Sequence, residues 1–169
     1  MLVLVTLCRR DRLNVNPIDI TEILATKKNL YFNRVDDNEI SILLKSEKPE
    51  YVLSVIFRSD YEIIHFSCDV NLRVPKKKRL VVTDAIVKAN ERIWVGHFDL
   101  ISADNCIVYS FTIPFVSSFS VDEDTIESII QLVKDECNRF YCYFSMIIEN
   151  RGLSEASLNS LFLEISGEA

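Results

Sequence analysis

Glycine is scarce in this chain: Gly96, Gly152 and Gly167 are the only three in 169 residues. Three glycines so dispersed cannot build a phosphate-cradling loop, which needs crowded backbone N–H groups. Histidine is scarcer still, with His65 and His97 alone. The five cysteines form no CxxC pair, and neither histidine joins them in a metal-ligand spacing. No metal or other cofactor is therefore expected. Positive charge is in deficit, 19 Lys and Arg against 25 Asp and Glu, for a net charge of -6. General affinity for phosphate backbones needs the opposite sign, so no nucleic-acid partner is expected. Long apolar runs are also missing. The stretch 1–8 is too short to span a bilayer. Its basic residues Arg9, Arg10 and Arg12 follow it, whereas a signal peptide places charge first. An odd cysteine count without a secretion signal reads as reduced thiols in a cytoplasmic protein with no membrane partner.

What is present is a globular composition, 49% hydrophobic and 26% charged, in a length that suits one domain. Asn16-Pro17 marks a boundary, and Asp19 or Thr21 is expected to start a short helix through Lys28, with Ile20, Ile23 and Leu24 inward. Strands are expected at 30–35, 40–45, 51–58 and 61–70. The clusters Asp36-Asp37-Asn38 and Ser59-Asp60, and the stretch 46–50 with Pro49, supply the breaks. Connections this short imply an antiparallel meander. Its strands are apolar on both faces: Leu53, Val55 and Phe57 alternate with Val52 and Ile56, and Ile64 and Phe66 with Ile63. A sheet with one wet face alternates more cleanly, so the second face needs a cover.

From Val82 the residues Val82, Ala85, Ile86, Ala89 and Ile93 recur at helical spacing, with Asp84, Lys88 and Glu91 opposite. Asn tolerates the left-handed conformation that ends helices, which predicts a stop at 90–92. Residues 93–100 read as a strand with Trp94, Phe98 and Leu100 on one face. Gly96 within it implies a bulge or a close backbone approach. Turn residues at 102–105 return the chain through a strand at 106–113. Ser120 and Glu123 then form a capping box, and Ile126, Ile129, Ile130, Val133, Cys137, Phe140, Tyr141 and Phe144 make an amphipathic stripe that Ile147 and Ile148 continue toward a stop at Gly152. A helix over 121–150 would be about 45 Å long. A last helix is expected from Ser154, with Leu153 and Leu158 as a staple and Leu158, Leu161, Phe162 and Ile165 inward.

In this order of elements the chain resembles the YbjN family of bacterial sensory-transduction regulators over residues 20–148. The passage 85–100 carries the resemblance, through Asn90 at the helix end, Gly96 six residues later and Phe98. The resemblance implies an α+β fold, an antiparallel sheet with helices packed against it, like that of type III secretion chaperones. Those are small acidic proteins that dimerise and hold client segments. Four strands precede the middle helix here where the chaperone pattern has three. The domain limits are then 18–150, with extensions at 1–17 and 151–169.

Catalytic signatures are weak. Cys68, Cys106, Cys137 and Cys142 are the candidate nucleophiles, and His65 and His97 the candidate bases. His65 and Cys68 differ by three along a strand and so face opposite ways. Cys137 falls in an apolar stripe. His97 and Asp99 share a face, as a base and its orienter would, or as the polar side of an exposed strand. The run Lys76-Lys77-Lys78-Arg79 suits either an acidic partner or a solvated helix entrance. A non-enzymatic, chaperone-like or regulatory protein-binding module follows, acting as a homodimer on a protein client. Val52, Ile56 and Ile63 are the expected client contacts. Val82, Ile86, Ala89, Val95 and Tyr109 are the expected dimer contacts, by analogy with the chaperones. The alternatives are a small enzyme or ligand-binding domain with a site around His97, and a structural subunit.

Overall fold

Asn16 accepts a hydrogen bond from the Ile18 amide (2.9 Å) and Pro17 takes the first helical position, so α1 (Pro17–Lys27) starts two residues before Asp19. A computed structural model describes residues 16–46, 49–115, 121–149, 160, 162–165 and 167. The earlier start rotates the buried side of α1 to Ile18, Thr21, Leu24 and Ala25. Ile20 is only partly buried and Ile23 faces outward, contrary to the expected stripe. Thr21 is tolerated inside because its hydroxyl donates to the Pro17 carbonyl (2.8 Å).

The meander follows as β1 (Tyr31–Asp36), β2 (Glu39–Leu44), β3 (Tyr51–Arg58) and β4 (Ile63–Arg73). The Asp36 carboxylate accepts from the Asn38 amide (2.7 Å) and closes the first turn. The turn after Arg58 is wider than the expected tight hairpin. Arg58 pairs with Ile63, leaving four loop residues, of which Glu62 has φ +50°. After a 3₁₀ turn at Lys76–Lys78, α2 (Arg79–Asn90) crosses to β5 (His97–Ile101) and β6 (Cys106–Pro114). All six strands form one antiparallel sheet in the order β1-β2-β3-β4-β6-β5. The fold is α+β, as expected.

Residues 93–96 are not strand, in contrast to the expected 93–100. Gly96 has φ +72°, outside the extended region, so pairing begins only at His97. Trp94 consequently leaves the Phe98 face and stands 93% exposed.

Helix α3 (Glu123–Glu149) is continuous for 27 residues, about 40 Å at 1.5 Å per residue. Its first turn is capped by Asp122, whose carboxylate accepts from the Thr125 amide (2.9 Å) and hydroxyl (2.6 Å). Glu123 pairs with Lys27 of α1 (2.7 Å); the Ser120 of the expected box lies outside the described residues. The expected stripe is buried through Ile147, with Tyr143 joining it and Tyr141 and Ile148 at its margin. Of the last helix, Phe162 and Ile165 pack on the core, and Arg139 Nε donates to the Ile165 carbonyl (3.2 Å). Its expected start at Ser154, with Leu153, Leu158 and Leu161, lies outside the described residues.

One face of the sheet supplies the core. Ile40, Ile42, Tyr51, Leu53, Val55, Ile64, Phe66, Cys68, Ile107 and Tyr109 meet the helices' apolar stripes in a single cluster. Phe98 sits at its centre, with ring centroids 5.1, 5.5 and 5.0 Å from Tyr109, Phe140 and Phe144.

Candidate functional site

The opposite face of the sheet carries no helix among the described residues. Strand register sorts its side chains into rows. Asn33, Ser41, Ser54, Ser67, Ser110 and His97 are successive Cα partners across all six strands. Ser41 and Ser54 Oγ are 3.4 Å apart. A larger row lies on each side: Leu43, Val52, Asp69, Val108 and Asp99 on one, Glu39, Ile56, His65 and Thr112 on the other. The result is a furrow of small hydroxyls between taller, partly apolar walls. Of the three expected client contacts, Val52 stands on one wall at 46% exposure and Ile56 on the other. Ile63 continues the open face at the start of β4, opposite Arg58 and Pro114.

The expected dimer contacts fall elsewhere. Val82, Ile86, Ala89 and Tyr109 are buried in the protomer's own core, because the stripe that reads as a docking face is the one that covers the sheet. Val95 alone of the five is exposed. The surface of α2 instead presents Leu80 (85% exposed), Val81 and Val87, and the chain then runs directly to Trp94 and Val95. Spacing in the sequence favoured the inner stripe. The outer residues were visible only as apolar residues off that stripe.

Comparison with known proteins supplies a family. The family model described as YbjN, putative bacterial sensory transduction regulator, matches residues 17–146. The chain belongs to the YbjN family. A crystal structure of YbjN from E. coli, titled a putative transcription regulator, superposes with a TM-score of 0.52 at 11% identity, covering 80% of this chain and 91% of that one. At that identity the likeness is one of fold. No curated protein matches the chain.

In this YbjN chain the residues that carried the resemblance have structural roles. The Asn90 side chain makes both hydrogen bonds that a neighbouring strand would. Its Oδ1 accepts from the Phe98 amide (2.8 Å) and its Nδ2 donates to the Phe98 carbonyl (3.0 Å). Asn90 is the last helical residue and is absent from the positive-φ positions, so a left-handed stop is not its role. Gly96 permits the close approach expected of it. A Cβ there would meet the Tyr109 phenol and lie 2.7 Å from the Ser110 carbonyl oxygen. The same phenol donates to the Val95 carbonyl.

The titratable groups are dispersed. His97 Nε2 lies 3.0 Å from Asp99 Oδ2, with both side chains about half exposed on the open face. His65 Nδ1 lies 2.8 Å from Thr112 Oγ1. Burial, with a lesser contribution from the His97 charge, holds the His65 imidazole below its ordinary value. Cys68 faces the core, away from His65. Its hydrogen bond with Cys137, together with burial, pushes the Cys137 thiol far above the ordinary range, and burial raises Cys106. Such thiols stay protonated at neutral pH and are poor nucleophiles. Cys142 is exposed. No group of three or more His, Cys, Asp and Glu able to hold a metal ion occurs among the described residues. Among those residues no helix is long and apolar enough to cross a membrane.

Proposed function

We propose that this YbjN protein regulates by binding another protein through the open face of its sheet, and that it does so as a homodimer. The observation that carries the reading is that no helix among the described residues covers this face, on which Val52 and Ile56 flank the serine furrow and Ile63 continues the face at the start of β4. Apolar walls supply binding area, and the small hydroxyls between them supply donors and acceptors for a backbone laid along the furrow. The family's description as sensory-transduction regulators supports a regulatory duty. A second copy would use the exposed side of α2 and Trp94, leaving the sheet face free.

The test is affinity capture from native lysate, comparing the natural chain with Ile56→Lys after both are shown to fold. A stoichiometric protein held by the natural chain and lost from the variant is the expected result. Equal capture by both would remove the open face from the proposal.

A further inference from the structure

Between the end of α1, the β1–β2 hairpin and the first half of α3 lies a cavity of about 340 Å³. That places it at the small end of small-molecule sites, which run from about 300 to 1,000 Å³. Leu24, Leu30, Leu44 and Ile130 give it an aliphatic floor. Lys28, Lys45 and Lys134 gather at its rim, against the single carboxylate of Glu127. In a chain of net charge -6, this is a local inversion of sign.

The three lysines are not equivalent. Lys28 Nζ lies 2.6 Å from Glu127 Oε1, so that pair is already neutral. Lys45 Nζ sits 4.7 Å from the centre of the Tyr31 ring and has no carboxylate within ion-pair distance among the described residues. Lys134 is half buried and has no carboxylate within ion-pair distance among the described residues. Among the described residues, two ammonium groups without a carboxylate partner therefore stand over an apolar floor.

We propose that this cavity binds a monocarboxylate with a short apolar body, of the kind represented by a medium-chain fatty acid. The carboxylate takes Lys134 and Lys45 as charge-assisted donors, and the body displaces water from the four aliphatic side chains. A neutral apolar molecule leaves both ammonium groups without a counter-charge. A polyanion meets Glu127 and cannot fill the floor. Of the furrow walls only Leu43 also lines this cavity; Val52, Ile56, Ile63, Leu80 and Trp94 do not, so the site is tested separately from that reading.

Octanoate is the probe, titrated calorimetrically into the full chain, with 1-octanol and octylammonium as controls. Saturable binding of one octanoate per chain is expected, with amide NMR shifts at Leu30, Leu44 and Ile130 and no saturable binding of octylammonium. Lys134→Met keeps the apolar stem and removes the charge. It should weaken octanoate by about ten-fold, the range of a lost charge-assisted bond, while leaving the urea midpoint unchanged. No saturable octanoate binding, octanol binding as tight as octanoate, or unchanged affinity in Lys134→Met would each overturn the proposal.

Discussion

Gly96 shows how one residue sets the entry to a strand. The sequence implied a close approach at this position, and the structure identifies the neighbours as the Tyr109 phenol and the Ser110 carbonyl. An alanine here faces both a left-handed φ and a carbonyl oxygen 2.7 Å from its Cβ. Gly96→Ala should therefore cost about 1–3 kcal/mol, read as a lower urea midpoint at unchanged slope. His65 offers a different measurement. Its imidazole is held below the ordinary value by burial first and by His97 second. A depressed folded-state value means that the unfolded chain binds the proton more readily. Stability from this group is complete above the unfolded value, near 6.5, and is lost as pH falls through the folded value. NMR titration of His97→Gln should move His65 upward only part of the way, because the burial remains. A His65 value indifferent to His97 would show that burial acts alone. The close approach at Gly96 was legible beforehand; its neighbours and the setting of His65 were not, because they depend on which strands lie side by side.

At the scale of elements, the sequence was most informative where a pattern repeats and least where a single contact decides. The meander, the β5–β6 hairpin and the long α3 were legible because alternation and three- to four-residue spacing extend over many residues. Boundaries shifted where side chains intervened. Asn16 caps α1 early, Asp122 caps the first turn of α3, and Gly96 delays β5. Asn90 is the sharpest case, since its identity was noticed and its role was not. A helix-terminal amide that completes the hydrogen bonding of Phe98 is invisible until α2 and β5 lie side by side. Asn90→Ala leaves a backbone donor and acceptor at Phe98 unmatched, so a loss of about 1–3 kcal/mol is expected. Faster hydrogen exchange at the Phe98 amide is its local signature. Asn90→Asp keeps the acceptor for that amide and loses the donor to the carbonyl. Its exchange protection should fall between the other two. Equal protection in all three chains would mean that β5 is held by β6 alone.

For the whole molecule, the open face was legible and the apolar outer side of α2 was not, for one physical reason. Residues apolar on both sides of a strand announce that two faces need cover, and Val52, Ile56 and Ile63 do stand on the face that carries no helix among the described residues. A helix stripe announces only that it is buried, and the protomer's own sheet claims Val82, Ile86 and Ala89 before a partner can. This difference fixes how a dimer must be tested. Charge at Val82 would open the core and unfold the chain, so a loss of assembly there would say nothing about the interface. Leu80 and Trp94 are free of that ambiguity, at 85% and 93% exposure. Leu80→Glu with Trp94→Lys should leave stability within about 0.5 kcal/mol per site, as substitutions on open surface do. If the exposed side of α2 and Trp94 hold a second copy, sedimentation equilibrium should read a dimer for the natural chain and half that mass for the variant. A natural chain that sediments as a monomer removes the homodimer. A variant that remains dimeric moves the contact to another surface, and the edge of β5 is then the next to mutate.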